Sequence, residues 1–565
     1  MTHFRTRLAS IAQYLRLRLR PSHFTACALS FTFALAAAHA RANGRFPNAE
    51  QLREVAPGQV VVSGTYGLLV SGNSKDFEFV CESALFGKSL MGSWVDPLLE
   101  TLPDGTILSG SLNGLRVSRD RGCSFQSDWS LPHDPTFIPP DPNATGKTGT
   151  VVDLCPAYDA THGAIALSSI TNPDGSTLEH QLYRTTDDAK TWAALGMPIP
   201  TSMVHVVLTV DVAPSDPTHL YVSGNFDGTN LLIASDDSGA SWTPHEIMVD
   251  DSAGVGGLYI AAISPTDPKR VYMRVNRQSQ ADDGSTTWDD SLLVSDDEGM
   301  TSRDVLRAQA ALLGFALSPD GTTVLAGFGD PVIAPIVVDD DAVGLYSASS
   351  DALTFTQKIP NFYASCLRWT ADALYACAKE SDPLGLTAGE TDFHVGVYQG
   401  SGVPSALSDF NVLTKLKDVR GPLPLASGMP SSCEMEWTTA DPSNPGLGSV
   451  CSTLNACPGD AGTVALSAGA IICGETSDAG TSASGSTSAS GSSSGGQSAS
   501  GGSSGSSVNG GGGGTLAGRA PMASASRGSK GCSVSAAGEA SKNGAIFGLI
   551  LGLGWALYRR VRRAV

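Results

Sequence analysis

Short apolar runs recur along the middle of the chain, and each is followed by a small hydroxyl residue and an acidic turn. The clearest are Gly67-Leu-Leu-Val70, Gly114-Leu-Arg-Val117, Leu231-Leu-Ile-Ala234, Leu292-Leu-Val294 and Gly344-Leu-Tyr346. Runs this short, bounded by turn residues, predict strands and leave no room for helical periodicity. The polar segment after them repeats as well. Its best copies are Ser118-Arg-Asp120-Arg-Gly122-Cys-Ser-Phe125, Thr185-Thr-Asp187-Asp-Ala-Lys-Thr-Trp192, Ser235-Asp-Asp237-Ser-Gly239-Ala-Ser-Trp242 and Ser295-Asp-Asp297-Glu-Gly299-Met-Thr-Ser302. Weaker copies begin at Ser71 and Ser347, and a degenerate unit lies near Val395-Gly-Val-Tyr398.

A second motif precedes several copies: Val212-Ala-Pro-Ser-Asp-Pro217, Ile263-Ser-Pro-Thr-Asp-Pro268 and Leu317-Ser-Pro-Asp320-Gly. Pro-rich turns between β-branched and aromatic residues mark strand, turn, strand. A repeat of about 50 residues holding three or four strands is the size of one propeller blade. The expected fold is therefore all-β, a single seven-bladed β-propeller over residues 43–475, with six blades as the alternative.

Within the repeat, Asp120, Asp187, Asp237 and Asp297 are turn-formers, because a carboxylate at that position accepts hydrogen bonds from the turn backbone. Gly122, Gly239 and Gly299 supply positive φ, and Phe125, Trp192 and Trp242 pack inward. The pattern Ser-x-Asp-x-Gly-x-x-Trp resembles the Asp-box, or BNR repeat, of sialidases, sortilin-type receptors and bacterial surface propellers. That resemblance implies a hairpin turn between outer strands, with Ser118 and its counterparts structural.

Charge changes the picture at the two ends. The 565 residues carry a net −19. Residues 1–42 contribute +6, residues 43–475 contribute −31 and residues 476–565 contribute +6. An acidic body excludes ordinary nucleic-acid binding, which needs positive charge on the folded part. Among the 53 acids of that body 40 are Asp, a bias towards turns over helices.

The basic front, the apolar stretch from Phe24 to Ala38 and the small residues ending at Ala42 predict a secretory signal peptide over residues 1–42. Residues 476–530 are Gly- and Ser-rich and predict a disordered linker. The last segment, 531–565, holds Gly531-Cys532-Ser533, an apolar run 544–558 that predicts a transmembrane helix, and Arg559, Arg560, Arg562 and Arg563. It resembles the MYXO-CTERM sorting tails of myxobacterial surface proteins, which implies processing at Cys532. Export to the cell surface or outer envelope follows, tethered or released after tail processing, with a monomeric body.

Export also predicts disulfides. Cys366 and Cys377 flank a hairpin, Cys433, Cys451, Cys457 and Cys473 crowd the end of the body, and Cys81 and Cys123 could join neighbouring blades. Cys155 is left over. Calcium is the one metal the acids suggest, at Asp339, Asp340 and Asp341 or at Asp282-Asp283 with Asp289-Asp290, although neither has EF-hand spacing and solvated loop acids are the simpler reading. No other cofactor is expected.

Two functions compete. The Asp-box resemblance admits a sialidase-like glycoside hydrolase, and Arg45 in Gly44-Arg45-Phe46-Pro47 is similar to one arginine of the sialidase clamp. No further clamp or nucleophile pair is identifiable, so no catalytic residue is assigned. The preferred reading is a non-catalytic recognition or adhesion module for a glycan or protein, with insertions at 132–147 and 278–290 as candidate contact loops and Trp288 as a candidate stacking surface.

Overall fold

The computed structural model describes residues 49–423, except 57, 65–66, 74, 87–96, 112–113, 128–147, 160–162, 172–177, 196–204, 227, 250–253, 281–285, 330–335, 380–395 and 415–418. The signal segment, linker and tail, with Cys433, Cys451, Cys457, Cys473 and Cys532, lie outside the described residues, as does Arg45. No described helix is long and apolar enough to cross a membrane.

Seven antiparallel sheets follow one another in chain order, so the fold is a seven-bladed propeller and not a six-bladed one. Their first strands are Ala49–Ala56, Leu98–Thr101, Thr148–Pro156, His205–Val212, Gly254–Ile263, Ala311–Leu317 and Tyr363–Trp369, for blades 1 to 7. Each first strand packs beside the next, and the seventh packs beside the first, closing a ring around a central axis. The second, third and fourth strands of a blade run outward from it, as Leu220–Phe226, Thr229–Ser235 and Thr243–Glu246 do in blade 4.

Burial explains why these strands read as near-continuous apolar runs. Alternate side chains point to opposite faces of a blade, and each face meets a neighbouring blade. In blade 4, Val222 and Ile233 join Cys155, Ile165 and Leu167 of blade 3, whereas Tyr221 and Leu232 join Leu258, Ile260 and Met273 of blade 5. The same division gives an apolar seam at every one of the seven blade junctions. The last described strand, Arg420–Pro422, returns to pair in parallel with the outer strand of blade 1, Glu78–Cys81.

The repeated acidic turn joins the third and fourth strands, and it is built alike in blades 2 to 5. In blade 5, Ser295 Oγ donates to Asp297 Oδ1 (2.9 Å) and accepts from Gly299 N (2.7 Å). Asp297 then accepts from Thr301 N (2.8 Å) and Thr301 Oγ1 (2.7 Å). Asp120, Asp187 and Asp237 make the corresponding bonds. Two successive residues take positive φ, Glu298 at 64° and Gly299 at 97°. A Cβ on Gly299 would also stand 2.8 Å from Leu232 of blade 4, so the glycine is needed both for its φ and for the seam.

The weaker copies differ in detail. Asn73 replaces the aspartate in blade 1 and accepts from Lys75 N and Asp76 N, both at 2.9 Å. In blade 6 the turn starts two residues later than the sequence suggests. Ser347 is still inside the strand Gly344–Ser349, and Asp351 N donates to Ser349 Oγ.

Ser295 is fully buried, and its hydroxyl satisfies the buried Gly299 N–H. Ser295→Ala is expected to cost about 1–3 kcal/mol, the range for an orphaned buried donor. Thr301→Ala, on the exposed side of the same turn, should cost much less. Urea denaturation of both variants reads the difference.

Candidate functional site

The axis is held by side chains that reach from one blade to the backbone of the next. First strands carry a bulge in several blades, at Ala49/Gln51, near Asp153, at Val207/Thr209 and at Ala364/Cys366. A bulge adds local twist and re-aims the side chains beside it. Gln51 Oε1 thereby accepts from Leu99 N (2.8 Å), Asp153 Oδ2 from Val210 N (2.8 Å) and Thr209 Oγ1 from Ile260 N (2.9 Å). Ser365 Oγ donates to Ala49 O (2.6 Å), joining blade 7 to blade 1.

Three charged groups gather where blades 1, 2 and 3 meet the axis. Arg53 Nε donates to Glu100 Oε2 at 3.0 Å, and both side chains are 2% exposed. Arg53 Nη1 also donates to Leu52 O, and Glu100 Oε1 accepts from Thr101 N. Asp153 stands beside this pair, part-exposed at the axis, with Oδ1 on Leu154 N and Oδ2 on Val210 N. Its surroundings push its pKa up to about 7. Loss of solvent is the largest cause and Glu100 adds to it, outweighing the two N–H donors and Arg53. Asp153 is thus able to hold or release a proton near neutrality.

A second buried pair locks blade 5 to blade 6. Arg274 Nε meets Asp290 Oδ2 at 2.8 Å, Trp288 Nε1 donates to Asp290 Oδ1 (2.8 Å) and Leu312 N donates to Asp290 Oδ2 (2.7 Å). The Arg274 guanidinium also lies 5.4 Å from the centroid of the Tyr259 ring. Desolvation raises the Asp290 pKa against the pull of Arg274 and these donors.

Strand direction assigns every connection to a face. In an antiparallel blade the first-to-second and third-to-fourth turns emerge on one face, and all other connections emerge on the opposite one. The Pro-rich turns and the Ser-x-Asp turns therefore share a face, and hydrogen bonds join them. Ser238 N donates to Thr218 O, Glu298 N to Lys269 O and Ser350 N to Thr322 O. Arg119 reaches from blade 2 to the Ala189 carbonyl of blade 3 (2.8 Å), and Arg270 from blade 5 to Ser350 O of blade 6 (2.5 Å). The connection between Ser127 and Thr148, which contains residues 132–147, begins and ends on the opposite face, as does that between Gln280 and Thr286.

Several expectations about single residues change. The 278–290 segment is mainly strand, because blade 5 extends its second strand to Gln280 and starts its third at Thr286. Trp288 is 2% exposed and packs with Ala311 and Leu313, so it is a core residue and offers no stacking surface. Asp290 is fully buried in its ion pair, which takes it out of any surface calcium site, and Asp289 pairs with Arg307. Asp282 and Asp283 lie outside the described residues.

Asp339, Asp340 and Asp341 are exposed on a short 3-10 turn, where Asp339 Oδ1 accepts from Asp341 N at 3.1 Å. Among the described residues no three His, Cys, Asp or Glu side chains converge as a metal site. Cys366 and Cys377 form a disulfide between the first two strands of blade 7. Cys81 and Cys123 are each disulfide-bonded, and Cys155 is a buried thiol.

In the acidic turns hydrogen bonding dominates the carboxylates. Asp237 is held down to about 2 by donors from Ser241 first and Ser235 next. For Asp187 and Asp297 desolvation pushes upward, and their threonine and serine donors outweigh it. Such groups are poor proton donors and fully engaged acceptors.

These charges at the axis and in the blade 5 pair were missed in the sequence, although each had a signal: one charged residue inside an apolar strand, as in Leu52-Arg53, Leu98-Leu-Glu100, Val151-Val-Asp153 and Met273-Arg274.

Asp153 gives the fold a pH dependence of definite sign. Its folded pKa, about 7, lies above the ordinary 3.8. The folded state therefore keeps a proton that the unfolded chain releases. Its contribution is complete below pH 4 and is lost as the pH climbs through 7. Urea midpoints of the wild type should fall between pH 5 and 8, and Asp153→Asn should make that fall smaller.

No known protein family matches this sequence, and no curated protein is similar to it. Solved structures do match. A GH74 enzyme of Niastella koreensis is 14% identical with a TM-score of 0.31, the match covering 65% of each chain and so just under two thirds of that enzyme. The GH93 α-L-arabinofuranosidase of Fusarium graminearum is 12% identical with a TM-score of 0.33 over 50% of this chain and 87% of its own. The GH74 xyloglucanase of Xanthomonas campestris is 13% identical with a TM-score of 0.23, over 65% of this chain and 72% of its own. Likeness at this level carries no argument about activity.

Proposed function

We propose that this chain is an exported propeller, tethered at the cell surface by its C-terminal tail, that recognises a glycan or protein without altering it chemically. The observation that carries this reading is the difference between the two faces. On one face the turn carboxylates are engaged by their own turns and the neighbouring blades. Strand direction makes the remaining connections start and finish on the other face, and loops on a rigid frame are where recognition is usually built. The Ser-x-Asp turns are read as Asp-boxes, supported by the same hydrogen-bond pattern in four blades. Signal peptide, linker and MYXO-CTERM-like tail account for the rest of the chain.

One observation favours a second reading, a glycoside hydrolase. Asp153 is part-exposed at the axis and exchanges its proton near neutrality, as a general acid does. Glycosidases of the common kind need two carboxylates across the scissile bond. The neighbouring carboxylate, Glu100, is already occupied by Arg53 and Thr101 N, which weakens this alternative.

A glycan array probed with residues 43–475, together with fluorogenic sialosides and arabinofuranosides, separates the two. Recognition predicts retention of a glycan with no turnover. Binding should survive Asp297→Asn on the turn face and fall at least about tenfold, or 1.4 kcal/mol, when residues 132–147 are shortened. Robust turnover that Asp153→Asn abolishes would establish the hydrolase instead.

A further inference from the structure

After blade 7 the chain returns as a three-residue strand, Arg420–Pro422, on the outer edge of blade 1. Between Arg420 and Leu423 the closing strand pairs in parallel with the outer strand of blade 1, and its main-chain bonds include Arg420 N to Phe77 O (2.9 Å) and Leu423 N to Phe79 O (2.8 Å). Two apolar anchors flank it. Val419 is buried in the seam between blades 7 and 1, and Leu423 in the seam between blades 1 and 2. An ionic contact adds to these: Arg420 Nη2 meets Asp76 Oδ1 at 2.6 Å.

Directly opposite Arg420 in the strand pairing is Glu78, which is 6% exposed. Its Oε2 is buried with no hydrogen-bond partner, and so is Arg420 Nη1. The charged groups acting on Glu78 are Arg420 from the closing strand and Asp76 from the turn before its own strand. The third strand of the blade, Gly67–Val70, presents no ionisable side chain, and blade 2 packs Leu99, Ile107 and Cys123 against Val80 on the same side.

We propose that residues 419–423 are a pH-responsive latch on the outer edge of blade 1, loosened when Glu78 ionises. Arg420 is already matched by Asp76, so a second carboxylate there is buried without a full counter-charge. Burial pushes the Glu78 pKa up from 4.5 to about 7, with Arg420 opposing and Asp76 adding to the rise. Undocking the strand exposes Glu78 and returns it to its ordinary range. The docked state is therefore the one that holds the proton. Its advantage is complete below pH 4.5 and is lost as the pH rises through 7.

The readout is hydrogen exchange at the amides of Val419, Arg420, Gly421 and Leu423 in the full chain, corrected for intrinsic rates, from pH 5.5 to 8.5. A pKa displaced by more than one unit gives a change of about tenfold or more in the docking equilibrium. Protection of these amides should fall by about that factor between pH 6 and 8, while that of Ala311–Leu317 in blade 6 changes less. Glu78→Gln should hold the protection constant across the range, and Glu78→Met serves the same purpose if the glutamine variant does not fold. Wild-type protection that does not change with pH would overturn the latch. So would a variant whose protection falls in parallel with the wild type.

Discussion

Every blade of this protein buries both of its faces against neighbours, and that requirement governs the rest. A four-stranded sheet with apolar side chains on both faces cannot be stable alone, since either face in water would forfeit about 25 cal/mol for each Å² of apolar area. Tyr221 and Val222 are adjacent in sequence yet belong to different seams. A blade is therefore tied to two partners at once, and an open row of blades would leave an apolar face at each end. Closing the ring removes both ends, which is what blade 7 against blade 1 achieves through Cys377, Tyr375 and Phe79.

Sending the apolar side chains to the seams leaves the axis to polar ones. The first strands converge there, and their bulges turn Gln51, Asp153 and Thr209 onto the amides of the following blade. Charge enters on the same terms. Arg53 with Glu100 joins blades 1 and 2, and Asp290 joins Arg274 of its own blade to Leu312 N of blade 6. Buried ion pairs add little net stability against an apolar replacement of similar shape, but losing one partner costs several kcal/mol. Their effect here is to penalise wrong blade alignments, since a slipped blade would strand a charge.

The sequence displayed the parts of the fold that repeat. The acidic turn was visible because one small set of residues, Ser-x-Asp-x-Gly in three blades and Thr-x-Asp-x-Ala in blade 3, satisfies the same local backbone, and its hydrogen bonds span at most four residues. Where the local residues degenerate, the register blurred. In Ser347-Ala-Ser-Ser-Asp351 any of three serines could open the turn, and only the strand pairing through Ser349 decides. Trp288 read as a loop aromatic because its hairpin is longer than the other blades' and its burial comes from blade 6. The closing strand was invisible. Three residues, Arg420–Pro422, carry no periodicity, and their pairing with Glu78 spans more than 300 residues.

The two faces differ for the same reason the seams exist. On the turn face a side chain at Gly299 would meet Leu232 of the preceding blade and one at Gly122 would meet Val70, and Arg119 and Arg270 reach the following blade. A substitution there disturbs a turn and a seam together. Connections on the opposite face need only start and finish at fixed strand ends, so their length and composition are free to change without moving a blade. The interval between successive acidic turns stretches from 47 to 67 residues where the chain crosses from blade 2 to blade 3, and the strands that bound this crossing, Gln126–Ser127 and Thr148–Pro156, end and begin on that face. The seams thus make the turn face the side where change costs the frame most, and the opposite face the side where it costs least.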